Sequence, residues 1–157
     1  MNGLQAWITL PQEHEETEPS FAHYGGDRLP VIDDGGARLR IIAGEAYGAK
    51  AGVAVFSPLF YVHCRLDAGA SIASPHNYSE RAAYVVTGSV EIGADRVGAG
   101  EMAVFASHKD VRLKAHVPTH MMLLGGSRSG RASSNGTSFH RRTSASSRRK
   151  RIGVPGE

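Results

Sequence analysis

Cysteine is almost absent: Cys64 stands alone, which excludes an intrachain disulfide and a cysteine-based zinc cluster. With no mark of an oxidising compartment, the expected location is cytoplasmic. No run of about 18 apolar residues could form a membrane helix. Met1 to Leu10 lack the basic start and long apolar stretch of a secretory signal, so the chain reads as soluble, with no membrane partner. Helical apolar periodicity is lacking as well. Acidic residues are scarce in one part only. Beyond Gly126 a single acid, Glu157, faces Arg128, Arg131, Arg141, Arg142, Arg148, Arg149, Lys150 and Arg151, whereas acids outnumber bases before it. The formal charge of +3 therefore belongs to the tail, and the global basicity does not make the body a nucleic-acid-binding fold.

Two kinds of sequence thus meet at Gly126. Residues 1–126 are long enough for one domain with its own core. Residues 127–157 are Ser/Arg-rich with too little apolar content to bury a core, and composition predicts disorder there. In the body, short apolar bursts predict strands at Ala6–Leu10, Arg38–Ile42, Leu59–Leu66, Ala82–Val86, Ser89–Ile92, Met102–Phe105, Val111–Ala115 and Met121–Leu124. Turn signals such as Asp33-Asp34-Gly35-Gly36, Thr87-Gly88 and Gly98-Ala99-Gly100 separate them. Short alternating strands with turns about every 8 to 12 residues predict an all-β sandwich or barrel. Leu39 and Ile41 against Arg38 and Arg40 show the alternation of a half-buried strand. Gln12 to Pro30, with Glu13, Glu15, Glu16 and Glu18, has no such pattern and reads as an exposed connecting arm (about 12–30).

Asp67-Ala68-Gly69-Ala70-Ser71-Ile72, Pro75-His76-Asn77, Tyr84 to Ile92 and Gly98-Ala99-Gly100-Glu101 followed by Met102 to Phe105 have the cadence of a cupin jelly-roll β-barrel. Gly3 to Pro11, Arg40 to Glu45, Gly52-Val53 and Ser57 to Tyr61 narrow this further. In that order the blocks resemble the second half of pirin-family proteins, from the segment joining the two cupins to the end of the carboxy-terminal one. The resemblance implies that iron is held by three His and one Glu of the amino-terminal cupin, and that some members oxidise quercetin with molecular oxygen. None of that domain lies in this sequence, so no residue inherits those roles, and iron is expected only in the missing N-terminal cupin. Met1, directly before an interdomain block, is expected not to be the true start.

The cupin pattern also shows where this domain would hold a metal of its own. Aligned on Gly69 and Gly88, the two first-motif His positions hold Pro75 and Asn77, and the Glu position holds Arg81. His76 falls between inward-facing positions, His108 in a turn, and His116 and His120 flank Pro118. This set is incomplete for a metal, and no catalytic, cofactor-binding or metal residue is assigned. His63 beside Cys64 could suggest a base and thiol, but neighbours on a strand point to opposite faces. A structural His and a buried Cys are expected instead. His14, His23 and His140 read as surface residues, and Glu80 with Arg81 as a solvated pair. Leu4 and Trp7 read as anchors for a neighbouring domain.

The tail admits an account of its own. Asn135-Gly136-Thr137-Ser138 written AAT GGA ACT TCG after a Ser codon ending in G reads, one base earlier, GAA TGG AAC TTC, or Glu-Trp-Asn-Phe. With permitted codons, residues 127–153 shift to EPLGPRIIEWNFVSSSNERIEQAKADW, which resembles the end of a pirin. The expectation is a frameshift-derived tail. If it is instead a real segment, Arg148-Arg149-Lys150-Arg151 resembles a basic targeting run and is the one route to nucleic acid. The body is expected to be a metal-free fragment with packing and domain-contact roles, partnered by the missing amino-terminal cupin or another chain, and without independent catalysis. Two alternatives stand beside it. One is part of a pirin-type quercetin 2,3-dioxygenase; the other is a protein-interaction or transcription-coregulator module.

Overall fold

The computed structural model describes residues 3–127 and, as backbone, 139–140 and 149–152. Fourteen strands follow one another among these residues: β1 Gln5–Ala6, β2 Val31–Asp34, β3 Ala37–Ala46, β4 Ala49–Lys50, β5 Leu59–Leu66, β6 Ser71–Ala73, β7 Glu80–Thr87, β8 Ser89–Ile92, β9 Asp95–Gly98, β10 Met102–Phe105, β11 Arg112–Ala115, β12 Thr119–Gly126, β13 Phe139–His140 and β14 Arg149–Ile152. The large sheet runs β14-β10-β7-β12-β5-β3-β2, with β4 paired to β3. The second runs β6-β11-β8-β9. All pairings in the two are antiparallel except that of β14 with β10. The all-β, cupin-type jelly-roll expectation holds.

Alternation builds the core. Phe60, Val62, Cys64 and Leu66 of β5, Ala83 and Val85 of β7, and Met121 and Leu123 of β12 point inward. From the small sheet Ile72, Val90, Ile92, Val97, Leu113 and Ala115 meet them. The chain crosses from large sheet to small at Gly88, whose φ of +81° suits a residue without a side chain. Thr119 is buried against it, and its hydroxyl accepts from the Ser89 amide at 3.1 Å, fixing the crossing.

Three predicted strands match residue for residue, and others are longer in the fold than in the sequence: Ala37–Ala46, Glu80–Thr87 and Thr119–Gly126. The predicted Ala6–Leu10 strand shrinks to Gln5–Ala6, leaving Trp7, Ile8 and Leu10 exposed. Within residues 1–126, sequence reading omits β2, β4, β6 and β9. Their residues, such as Val31-Ile32-Asp33-Asp34 and Asp95-Arg96-Val97-Gly98, are short and polar because they edge the sheets or extend hairpins; pairing across the two-residue turns Gly35-Gly36 and Gly93-Ala94 makes β2 and β9 strands. The arm is mostly exposed and contains two 3₁₀ turns, Gln12–His14 and Gly26–Arg28. Of the tail, β13 pairs with β1 and β14 with β10. The rest of the tail lies outside the described residues, and the expectation of disorder there with it.

Candidate functional site

The mouth of the barrel, where the cupin pattern places metal ligands, is formed by the β6–β7 loop, the start of β7 and the β10–β11 turn. Arg81 shares strand parity with Ala83 and Val85, so it points into the barrel. It is 2% exposed. This corrects the reading of Glu80 and Arg81 as a solvated pair: Glu80 is exposed, and Arg81 is the bulkiest of the fully buried side chains among the described residues. Its Nη1 donates to the Pro75 carbonyl at 3.3 Å, and its Nη2 donates to the carbonyls of Ala106 at 3.1 Å and Lys109 at 2.7 Å. One guanidinium thereby ties the first-motif loop to the second-motif turn. Burial draws the Arg81 pKa below its ordinary value, and the nearby Asp110 carboxylate acts in the opposite direction.

Two tyrosines close the same end. Tyr47, at the β3–β4 turn with φ of +53°, packs on the core and donates from Oη to the Ala73 carbonyl at 2.6 Å. Tyr78 donates to the Glu45 carbonyl at 2.7 Å, and its ring lies 4.9 Å from that of Phe60. Burial raises both phenol pKa values, with Cys64 adding to it at Tyr47 and Glu45 at Tyr78. Ser107 Oγ donates to the Ser79 carbonyl at 2.8 Å, a second tie between the loops.

The donor set decides what this mouth can hold. A divalent cation needs imidazole nitrogens or carboxylate oxygens. Here the glutamate position presents a guanidinium, the histidine positions present Pro75 and Asn77, and Asn77 is exposed. The residues present do not fit a metal. Among the described residues, moreover, no three His, Cys, Asp or Glu side chains gather at ligand spacing.

The other histidines fall elsewhere. His76 is exposed, and His108 occupies an exposed turn at φ of +59°. The His116 Nε2 lies 2.8 Å from Glu91 Oε2, both side chains about half exposed, a pairing worth little to stability. The His14 ring sits 5.0 Å from Phe56, and His23 is exposed. His140 contributes only backbone, opposite Gln5. Cys64 faces the core, its thiol pKa pushed up to about 12 by burial, so it is not a ready thiolate. His63 faces outward, as strand parity requires. Nothing in the linear order of residues points to its neighbour: the His120 ring is 5.3 Å away and edge-on. Their diagonal contact follows from the pairing of β5 with β12, in which His63 is opposite Met122 and Arg65 opposite His120.

Both imidazoles have pKa values below 6.5: burial is the larger cause, followed for His63 by His120, Arg65 and Arg40, and for His120 by Arg65. A depressed basic pKa means the fold binds fewer protons than the unfolded chain near pH 6. The associated stability is present above the ordinary histidine range and is lost as pH falls through 6.5 toward the folded values. The thermal stability of the unmutated chain should therefore fall as pH drops from about 7.5 to about 5.5, and fall less in H63Q/H120Q. An equal acid loss in both proteins would show that these two residues do not carry the effect.

A family model described as the pirin C-terminal cupin domain matches residues 61–132. A pirin-like protein of Caulobacter vibrioides is 50% identical over 127 residues, covering 80% of this chain and 44% of that protein. Pirin of Homo sapiens is 27% identical over 132 residues, 80% of this chain and 46% of its own. A quercetin 2,3-dioxygenase from Acinetobacter baumannii superposes with a TM-score of 0.69 at 26% identity, over 77% of this chain and 44% of that one. The chain spans less than half the length of these proteins.

Proposed function

The chain belongs to the pirin family as its carboxy-terminal cupin region, and from that premise we propose that the body is a metal-free cupin whose work is packing and domain contact, without catalysis of its own. The observation carrying this reading is Arg81, a buried cation that ties two loops across the mouth where a metallocupin has its glutamate. A fixed positive charge there repels a divalent ion. Support for the contact role comes from Trp7, 62% exposed, and Ile8, 51% exposed, side by side after β1. Large apolar side chains left adjacent in water mark a docking surface, and a second cupin domain or another chain is the partner we assign to it. Iron, in this reading, belongs to such a partner domain.

The test is metal content. The purified chain, incubated with ferrous iron under argon and desalted, is expected to retain well under one iron per chain by elemental analysis. Stoichiometric retained iron would overturn the reading. A second reading rests on the likeness to the quercetin 2,3-dioxygenase: the domain is half of an oxygenase of that type. Quercetin turnover after addition of an amino-terminal cupin, and none by either part alone, would support it. The proposed frameshift origin of 127–157 is tested by resequencing the gene; a confirmed frame makes the tail a genuine segment.

A further inference from the structure

The outer face of the large sheet gathers positive charge, and among the described residues only Arg38 at its edge has an ion-pair partner, Asp33. Register places Arg40 of β3 opposite His63 of β5, and Arg65 two residues beyond His63 on the same face. Opposite Arg65 stands His120 of β12, whose ring meets that of His63. Arg38 of β3 stands opposite Arg65 on the same face, so three guanidiniums and two imidazoles occupy adjacent positions on three neighbouring strands. Like charges facing one another across strands are destabilising, so such a cluster persists at a cost unless something neutralises it.

Asp33, Asp34 and Asp67 line the hollow that Arg38 and Arg65 share, but the charge there is only partly offset. Neither Arg40 nor Arg65 has an ion-pair partner among the described residues, whereas the adjacent Arg38 has Asp33 at 3.7 Å. The Nε of Arg40 is buried with no acceptor among the described residues. Arg40 is covered on one side by the arm: a Cβ on Gly26 would meet its Nη1 at 3.6 Å. The arm therefore gives the flat sheet one wall, and Arg40, half-buried beneath it, is held in place while Arg65 stays exposed. The acidic run Glu13 to Glu18 lies in the same arm but is exposed and makes no ion pair with the cluster.

We propose that Arg40, Arg65, His63 and His120 form a binding site for a phosphate group. The match is one of charge and donor number. Two permanent cations balance a phosphate dianion, and guanidinium forks bind its oxygens bidentately. Two imidazoles supply further N–H donors from the β5–β12 side, and an anion beside them restores the protons their neighbours now disfavour. A planar carboxylate has two oxygens and one charge, and would leave half of these donors idle. Nucleic acid, which needs a long track of cations, finds a cluster of only five basic residues on an acidic body.

The test uses nuclear magnetic resonance of the intact chain with imidazole signals labelled. Sodium phosphate titrated at constant ionic strength is expected to move the His63 and His120 resonances saturably toward their protonated positions, leaving His76 and His108 in place. O-phosphoserine as a second ligand distinguishes a monoester from free phosphate: tighter binding assigns the source as an esterified phosphate, weaker binding as the inorganic ion. Arg65→Met, at an exposed position, should weaken half-saturation by about tenfold or more with the fold intact. His120→Gln should weaken it too, with the His63 signal still reporting. Identical shifts with sodium chloride would reduce the effect to screening, and unchanged binding in R65M would overturn the site.

Discussion

Replacing Gly44 by alanine is expected to abolish folding. Gly44 lies in β3 at φ of +72°, a region costing an L-residue about 1–2 kcal/mol. The larger obstacle is steric. A Cβ at this position would run into the backbone carbonyl of Leu59, because β3 shifts register between Ile41 and Ala43 and brings Gly44 opposite Phe60. Leu59 and Phe60 begin β5, which is held between β3 and β12, so the carbonyl cannot retreat without dragging a central strand. Backbone collisions of this kind belong to the rare substitutions costing above about 4 kcal/mol. Gly48 provides the control: its φ is +75°, but nothing lies within 4 Å of its Cβ direction. Gly48→Ala therefore isolates the dihedral cost and should lose about 1 kcal/mol. Chemical unfolding of the two variants decides the matter. A Gly44→Ala protein no less stable than Gly48→Ala would refute the steric account.

Arg81→Met is expected to be the next most damaging change, with a loss of about 3–5 kcal/mol, the range for removing one partner of a buried charged arrangement. Methionine fills much of the volume but donates nothing. The carbonyls of Pro75, Ala106 and Lys109 then lose the guanidinium together, the Ala106 carbonyl keeping only a long bond from the Lys109 amide at 3.5 Å, and a polar group left without its donor costs about 1–3 kcal/mol when buried. A fall in melting temperature on the order of 10 °C corresponds. Arg81→Lys keeps the charge but offers a point ammonium in place of a fork, and should recover part of the loss by reaching one carbonyl. The signature is local as well: amides near Ser107 and Lys109 should exchange faster in R81M than in R81K. Parent-like stability of R81M would mean that the two loops hold each other without the guanidinium.

How much of this was readable beforehand differs by feature. The Gly69 to Gly88 spacing placed Pro75, Asn77 and Arg81 at the positions of a metal set, and the fold puts Pro75 and Arg81 at the barrel mouth as that spacing implies. Adjacency to Glu80 suggests a solvated ion pair for Arg81, but adjacent strand residues face opposite ways, and only Arg81 is buried. Its parity with Ala83 and Val85 was the available signal. The same parity correctly separated Cys64 inside from His63 outside.

Local sequence therefore determined what depends on short range: strand alternation, turns at Gly and Asp, and the all-β class with its family. Those signals work because the side-chain period of a strand is two and a tight turn needs particular backbone angles. Tertiary structure alone decided which strands are neighbours and in what register. His63 and His120 meet, Arg40 lies across from His63, and Arg81 reaches Lys109 only after distant segments pair. Pairing register is set by the burial of a whole face at once, a property of the folded sheets that no single stretch of the chain contains.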